Sequence, residues 1–291
     1  MRNIRLTLAY DGTRYVGWQM QPNGVSVQSV VEAALREFSG CEASLISAGR
    51  TDAGVHALGQ VANFHTESPI PCRGFVAGLQ PFLPNDILVR SADEVPLDFH
   101  ATYSAKRKRY RYVILNARPA HPFLGRYAHE FHAPLDERAM HEAAQVLVGT
   151  HDFCSFETQH PNTATSVRTV FEASVDRFGG WPAWNTTAVG EDSPTTGEFV
   201  WFDIVADGFL YNMVRTIAGT LIRVGEHKWN AGDLRRILES RNRRNAGPTA
   251  PACGLYLVNV EYEAAPLTAA AAAAVETSTA REDAVKDGAR P

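Results

Sequence analysis

The sequence predicts an α+β protein with two halves, each an antiparallel sheet with helices packed on one face. Segments in which apolar and polar residues alternate, as in half-buried strands, are interleaved with segments that have apolar residues at helical spacing. Neither a Rossmann glycine fingerprint nor a Walker phosphate loop lies between them. The 291 residues, 45% of them hydrophobic, are enough for a sizeable buried core.

The first predicted half comprises residues 1–104. It begins with a strand at 4–10 that ends at the turn Asp11-Gly12. A helix follows, with Ser26 as its N-cap, apolar residues at i, i+3, i+4, i+7, i+8 and i+11, and Gly40 at its end. The other elements predicted up to residue 104 are a short helix after Pro71 and strands at 43–47, 60–66, 87–90 and 100–104.

The second predicted half comprises residues 105–263. Its strongest signal is an amphipathic helix at 210–222. Two further helices are predicted at 136–148 and 231–240, and strands at 109–115, 167–177, 199–206 and 255–263. Residues 178–198 are predicted to form a long acidic loop, and the Ala-rich residues 264–291 a disordered tail.

The distribution of charge leaves a polyanionic partner open, although the net charge is −4. Excess acid is concentrated in the loop 178–198 and the tail, so the remaining chain is close to neutral. Two basic clusters, at 106–111 and 235–244, lie within it. Because local potential governs polyanion binding, each cluster is either a phosphate-binding surface or a solvated face.

Composition also indicates the compartment and the absence of metal. The four cysteines are scattered and form no C-x-x-C pair, which predicts small buried thiols in a reducing compartment. No apolar run is long enough to cross a membrane and no signal peptide is indicated, so we expect a cytoplasmic protein. Six histidines crowd one region without metal-ligand spacing, so no metal site is expected; they are His121, His129, His132, His141, His151 and His160.

The segment Ala48-Gly-Arg-Thr-Asp-Ala-Gly-Val-His-Ala57 is the most informative motif. It places Asp52 between Gly49 and Gly54, which we expect to adopt positive φ and to allow close approach of a ligand. Arg50 is expected to favour the ionised carboxylate and to lower its pKa. An ionised, positioned Asp52 can act as nucleophile or general base, although an Asx-turn with a purely structural role is an open alternative.

Tyr110 is the second candidate. In the strand 109–115 it shares one face with Tyr112 and Ile114, while Arg109 and Arg111 point to the other face. Aromatic side chains within a basic strand suit base stacking combined with phosphate contacts. We expect Tyr112 and Ile114 to be core residues, and the residue pattern leaves the role of Tyr110 open.

Arg215 is the third candidate, at the border of the apolar face of the helix 210–222. From there its guanidinium can reach sideways to a carboxylate or a phosphate. The structural alternative is an arginine that only extends along the apolar surface toward water.

The chain resembles the tRNA pseudouridine synthase A family. The resemblance rests on ordered motifs from about residue 4 to residue 262: YDGT, YVGWQ and VQ near the N-terminus, AGRTDAGVHA at 48–57, DFHA at 98–101, KRYRY at 108–112, HDFCSF at 151–156, MVRTIAG at 213–219 and APACGLYL at 250–257. AGRTDAGVHA is the most specific of them. The loop 178–198 is longer than expected for the family, and the tail extends beyond its usual end.

The resemblance implies an isomerase that converts uridine to pseudouridine at positions 38, 39 and 40 of the tRNA anticodon arm, without cofactor or metal. It implies that Asp52 is the nucleophile, that Tyr110 stacks on the target base and assists proton removal at C5, and that Arg215 pairs with Asp52. Arg50 is implied to hold the flipped nucleotide. Which atom Asp52 attacks, C1′ or C6, stays open, as does a glycal route.

We predict that Lys108, Arg109 and Arg111 of the basic strand bind the substrate together with Tyr110. Family resemblance further implies a homodimer whose two chains together bind one tRNA. It also implies that each chain has two ferredoxin-like halves, which form one continuous sheet around a central cleft. Two other classes compete with this prediction. One is a catalytically silent RNA-binding module, and the other is an Asp-nucleophile hydrolase, which the absence of an Asp-x-Asp metal motif disfavours.

Overall fold

A computed structural model describes residues 1–117, 123–158, 165–179 and 197–263. The predicted tail at 264–291 lies outside this part of the chain, as do nearly all of the loop 178–198 and two of the six clustered histidines, His121 and His160.

Five α-helices and ten β-strands form the fold of the described residues. The first group of elements is β1 (Arg2–Tyr10), α1 (Val27–Ser39), β2 (Ile46–Ser47), β3 (His56–Thr66), α2 (Cys72–Leu79) and β4 (Ile87–Val95). The second group is β5 (Ala105–Leu115), β6 (His129–Glu130), α3 (Glu137–Ala144), β7 (Gly149–Asp152), β8 (Val167–Phe178), β9 (Phe199–Ala206), α4 (Met213–Gly225), α5 (Ala231–Ser240) and β10 (Leu255–Tyr262).

All ten strands belong to one sheet, with the order β4-β1-β3-β10-β5-β9-β8-β7, while β2 pairs with β3 and β6 with β5. β1 pairs antiparallel with β3 and β4, and β9 pairs antiparallel with β5 and β8. β3 and β10 run parallel, with Tyr256 opposite His56. This continuous, mostly antiparallel sheet confirms the predicted α+β class. It places β1–β4 at one end and β5 with β7–β10 at the other, and the boundary at residue 104 stays a prediction.

The core lies where alternate strand residues meet the helices. Ile4, Leu6 and Leu8 of β1 are fully buried, whereas Arg5 points to the opposite face and pairs with Asp93 of β4 at 3.1 Å. On β5, Tyr110, Tyr112 and Ile114 are buried on one face. At the C-terminal end of β5 the opposite face is also covered. There, Val113 and Leu115 pack against a cluster of Leu124, Ala128, Phe199 and Tyr256.

Capping decides where several helices begin and end. The Ser26 side chain accepts a hydrogen bond from the Ser29 backbone at the start of α1, and Gly40 ends that helix at φ 68°. At the start of α5, the Asn230 side chain accepts hydrogen bonds from the backbone N–H groups of Gly232 and Asp233. These local signals explain why the predicted bounds of α1 and α5 agree with the observed ones.

The predicted strand at 100–104 is wrong, because these residues form a turn. The His100 Nδ1 atom accepts hydrogen bonds from the backbone N–H groups of Thr102 and Tyr103, and the Ser104 hydroxyl accepts one from the His100 backbone. Such local side-chain bonds compete with strand pairing. β7 was not predicted, and β3 begins at His56 instead of residue 60.

Candidate active site

The loop that carries Asp52 joins β2 to β3 and is held by backbone hydrogen bonds. The Trp18 N–H donates to the Thr51 carbonyl at 3.0 Å, and the Val55 N–H donates to the Asp52 carbonyl at 3.1 Å. The hydroxyl groups of Tyr10 and Thr51 lie 2.8 Å apart in the core. Because both sides of Asp52 are fixed in this way, its carboxylate is presented from a rigid backbone.

Two glycines make this loop possible, and they are not the predicted pair. Gly54 has φ 77°, as expected, but Gly49 has no positive φ. The missing side chain of Gly49 instead leaves room for the side chain of Lys108, because a Cβ on Gly49 would lie 3.4 Å from the Lys108 Nζ. Gly17, at φ 111°, forms an isolated bridge with Asp52, and a Cβ on Gly17 would lie 2.5 Å from the Thr51 carbonyl oxygen.

Arg215 is the counter-ion of Asp52. Its Nη1 lies 3.5 Å from the Asp52 Oδ2, and the two side chains are only 18% and 23% exposed. Arg215 also donates from Nε to the Ala250 carbonyl at 2.7 Å and from Nη1 to the Asn212 Oδ1 at 2.9 Å. The guanidinium is therefore held in place at the end of α4 that faces the loop.

The pKa of Asp52 is raised, because burial penalises the ionised carboxylate more than Arg215 stabilises it. The expectation that Arg50 lowers this pKa is therefore wrong. Arg50 is exposed and the attraction that opposes the shift comes from Arg215.

Tyr110 of β5 lies in the same cleft, 7% exposed, with its ring edge-on to Phe209 at 5.0 Å. Burial raises the pKa of its hydroxyl, and the nearby Tyr10 and Asp52 add to the shift. Tyr110 is therefore a neutral phenol at physiological pH. Tyr112 is a core residue, as predicted, and donates from its hydroxyl to the Pro251 carbonyl at 2.8 Å.

An open cleft of about 600 Å³ connects these groups. It is lined by the Asp52 loop from Ser47 onward, by Thr102 and Tyr103, by Lys108 and Tyr110, by residues 209–214 and by Val55 and Leu255. The sequence-predicted residues Asp52, Arg50, Lys108 and Tyr110 all line it, and Arg215 meets Asp52 from α4.

The basic strand divides between two faces of the sheet. Lys108 is half-buried in the cleft, where burial and the neighbouring Arg168 lower its pKa. Arg109 and Arg111 point to the opposite face. Arg109 pairs with Glu172 at 2.7 Å, and Arg111 pairs with Asp203 at 2.9 Å while its guanidinium lies over the Trp201 ring. The structure does not bring these two arginines to the cleft.

Part of the second basic cluster lines a separate cavity of about 690 Å³, together with Cys154, Glu157, Thr158, Asn242 and Thr249. Arg241, Arg243 and Arg244 supply its positive charge. Arg241 pairs with Asp152 at 3.1 Å, and Arg243 donates to the Gly247 carbonyl and the Thr249 hydroxyl. Burial lowers the pKa of Arg243.

The wall between this cavity and the cleft contains a polar contact that the sequence did not indicate. Asn212 donates from Nδ2 to the Thr158 hydroxyl at 3.2 Å and holds Arg215 with its Oδ1. Asn212 has φ 60°, a conformation that asparagine tolerates better than most residues. The helix predicted from residue 210 begins at Met213 instead, so Asn212 occupies its N-cap position. Asparagine is favoured at that position, which is the signal that could have identified it.

His56 is a second residue of this region that the residue pattern did not single out. It follows the loop and is 2% exposed; its Nδ1 accepts from the Gly12 N–H at 3.1 Å and its Nε2 lies 3.0 Å from the Arg126 carbonyl. This pattern favours the tautomer with hydrogen on Nε2. Burial lowers the pKa of His56, so the neutral ring fixes the start of β3.

In the described ranges, no group of three or more His, Cys, Asp or Glu side chains is arranged to hold a metal ion. Within the same ranges, every helix is too short or too polar to span a bilayer. The four cysteines form no disulfide and each is partly exposed, so the prediction that they are buried is wrong.

Comparison with known proteins identifies the family. The family model described as tRNA pseudouridine synthase matches residues 7–104 and 143–263, which include Asp52 and Arg215 but not Tyr110. The tRNA pseudouridine synthase A of Acetivibrio thermocellus is 46% identical over 90% of this chain and 100% of its own length. The proteins of the same name from Thermoanaerobacter pseudethanolicus and Moorella thermoacetica are 43% and 45% identical, over 90% and 89% of this chain and 100% and 99% of their own. The chain belongs to the tRNA pseudouridine synthase family.

Proposed function

We propose that this protein isomerises uridine to pseudouridine at positions 38, 39 and 40 of the tRNA anticodon arm, with Asp52 as the catalytic carboxylate. As a member of the family, it is an isomerase that acts on uridine in tRNA. One observation supports the residue assignment above all others. The Asp52–Arg215 pair and Tyr110 come from three separate elements and meet at one open cleft.

The reaction needs no external reactant. The N1–C1′ bond of uridine breaks, a C5–C1′ bond forms, the proton on C5 leaves and N1 gains a proton. Because bond cleavage and bond formation occur on the same nucleotide, the site has to hold the detached base while it turns. The aromatic wall formed by Tyr110 and Phe209 suits this task.

Asp52 supplies the carboxylate that acts on the nucleotide. Its raised pKa makes it a stronger base and nucleophile than an exposed aspartate, while Arg215 keeps the ionised form accessible. These properties suit attack at C1′, attack at C6 or proton abstraction on a glycal route equally well. Arg215 also orients the carboxylate, since its own position is fixed by Ala250 and Asn212.

Tyr110 contacts the target base in this proposal. Because its raised pKa keeps the hydroxyl protonated, Tyr110 can accept the C5 proton only while passing its own proton to a neighbour. Asp52, whose charge contributes to that raised pKa, is one such neighbour. Tyr110 therefore acts as a proton relay and not as a preformed phenolate.

Lys108 and Arg50 bind the phosphates of the flipped nucleotide. Both line the cleft, and Lys108 shares the strand face of Tyr110, two residues away. The target must leave its base stack to reach Asp52, and two cations beside the cleft favour that extruded state. Arg109 and Arg111, whose charges are neutralised on the other face, contribute to substrate binding only through an RNA strand that reaches that face.

The same family resemblance supports two further proposals, a homodimer and a cytoplasmic location. In the dimer the basic surfaces of two chains hold one tRNA. Light scattering of the purified protein tests the homodimer, and a monomer mass at the concentrations used for catalysis would exclude it.

Unmodified tRNA treated with the purified protein tests the proposal directly. Pseudouridine is mapped by carbodiimide adduct formation and primer extension. We expect new stops at positions 38–40 with the wild type and a loss of roughly 10⁴-fold or more in rate with Asp52→Asn. RNA binding by Asp52→Asn should persist.

Each alternative outcome has a definite meaning. Equal modification by Asp52→Asn would exclude its role as the catalytic carboxylate. Binding without modification by the wild type would identify a catalytically silent RNA-binding module.

A further inference from the structure

Tyr103 is the most exposed large hydrophobic residue among the described residues, and it lines the cleft that contains Asp52. Its exposed fraction is 83%, compared with 7% for Tyr110. A ligand that covers this side chain would remove a large aromatic ring from water, which is favourable. The chemistry proposed for Asp52, Tyr110 and Arg215 makes no use of Tyr103.

The ring of Tyr103 is supported by a contact with the ring of His100. His100 packs against it with ring centroids 4.3 Å apart and an angle of 31° between the planes. The His100 Nδ1 in turn accepts backbone hydrogen bonds from Thr102 and Tyr103. His100 thus contacts the Tyr103 ring, which among the described residues still keeps 83% of its residue surface exposed.

The turn that carries Tyr103 is tied to the rest of the cleft. The Thr102 hydroxyl donates to the Ser47 carbonyl at 2.6 Å, at the start of the Asp52 loop. The Ala101 N–H donates to the Asn63 Oδ1 at 2.9 Å, inside β3. Because the turn is anchored at both points, the ring is preorganised and loses little conformational freedom when a ligand stacks on it.

A flat, exposed aromatic ring beside a cation-lined cleft is suited to a nucleobase. Aromatic side chains stack on single-stranded bases of any sequence, because every base has a π-face. Extruding one base also leaves its neighbours without a stacking partner, so a protein ring that replaces it stabilises the extruded state.

We propose that Tyr103 stacks on a base that flanks the target uridine and so holds the RNA strand open at the cleft. This inference rests on the proposed function for the identity of the RNA. Tyr103 contacts the substrate but takes no part in bond making or breaking. The stack is equally present in the ground state and the transition state, so it governs KM more than kcat.

The test uses the full-length protein and an anticodon stem-loop RNA with 2-aminopurine at the position 5′ or 3′ of the target. Stacking on an aromatic ring quenches 2-aminopurine fluorescence. We expect quenching with the wild type at one of the two positions and none with Tyr103→Ala. Tyr103→Ala should raise Kd and KM by about 5- to 150-fold at nearly unchanged kcat.

Tyr103→Phe and Tyr103→Trp separate stacking from hydrogen bonding, since both retain an aromatic ring. Both should bind like the wild type. Phe123→Ala is the matched control, because Phe123 is 64% exposed and is not among the residues that line the cleft. It should leave Kd and quenching unchanged.

Three results would overturn the inference: wild-type affinity in Tyr103→Ala, equal weakening by Tyr103→Phe and Tyr103→Ala, or quenching that persists in Tyr103→Ala. Failure of the proposed function gives a different pattern. In that case the wild type forms no pseudouridine, whatever Tyr103 does to RNA binding.

Discussion

The guanidinium of Arg215 lies 3.5 Å from the carboxylate of Asp52, within a site where each side chain is less than a quarter exposed. The arginine comes from α4, which follows β9 in the chain, and the aspartate from the loop between β2 and β3. The site is therefore assembled from two segments that lie far apart in the sequence and are brought together by the fold.

Replacing Arg215 should move the pH dependence of catalysis. Arg215 lowers the pKa of Asp52 by charge and by hydrogen bonding, against the opposing effect of burial. In Arg215→Gln that pKa rises further, so the acid limb of kcat/KM shifts to higher pH and the rate near neutrality falls roughly 10²–10³-fold.

The measurement is a pH profile of kcat/KM on a tRNA substrate. Arg223→Gln is the matched control, since Arg223 lies on the same helix and pairs with Glu226 instead. An acid limb that stays at the wild-type position in Arg215→Gln would contradict the assigned ion pair.

Tyr110→Phe should separate binding from chemistry. Removing the hydroxyl leaves the ring and its contact with Phe209, so RNA affinity should be retained. Turnover should fall roughly 10²–10⁴-fold, because the proton relay is lost. Single-turnover kinetics and a binding isotherm on the same RNA measure the two effects.

Tyr112→Phe is the control for Tyr110→Phe, on the same strand and face. It removes a hydrogen bond to the Pro251 carbonyl and should lower the free energy of unfolding by about 1 kcal/mol with turnover retained. Normal turnover by Tyr110→Phe would exclude a role for its hydroxyl.

Gly17→Ala should destabilise the Asp52 loop. A Cβ at Gly17 meets the Thr51 carbonyl oxygen at 2.5 Å, and φ is 111°. We expect a loss of roughly 2–4 kcal/mol in the free energy of unfolding, together with reduced turnover.

Gly40→Ala is the comparison for Gly17→Ala, because Gly40 also has positive φ but a Cβ there meets nothing within 4 Å. Gly40→Ala should lower the free energy of unfolding by only about 1–2 kcal/mol. Urea unfolding of both variants gives the comparison, and equal losses would show that the contact with Thr51 is unimportant.

The cavity lined by Arg241, Arg243 and Arg244 should bind an RNA phosphate. Arg244→Gln is expected to weaken RNA binding and to reduce the slope of log Kd against log salt by about 0.7–0.9. Arg235→Gln, an exposed arginine of the same cluster outside the cavity, should change the slope less. Equal effects of the two substitutions would show that the cavity has no specific phosphate site and that the cluster acts only as a general basic surface.

Local sequence signals predicted many of the helices and strands. The caps Ser26 and Gly40 act within a few residues of themselves, so the bounds of α1 could be predicted directly. The predicted bounds of α5 also agree with the observed ones, and the structure shows Asn230 as its N-cap. The predicted strand at 199–206 agrees with β9 for a similar reason, since its buried residues form a nearly continuous apolar run. The turn at 100–104 was mistaken because its own side chains satisfy its backbone, which a periodicity pattern does not reveal.

The sequence by itself determined the α+β class, the family and the identity of Asp52, Tyr110 and Arg215 as candidates, because motifs and periodicity are properties of neighbouring residues. The family resemblance already implied that Arg215 pairs with Asp52, and the tertiary structure places the two groups 3.5 Å apart. Only the tertiary structure decided that burial raises the Asp52 pKa, against the lowering expected from Arg50. It also decided that Lys108 faces the cleft while Arg109 and Arg111 do not, and that Tyr103 presents an exposed ring there. Charge interaction and burial depend on distance in space, which sequence neighbours do not fix.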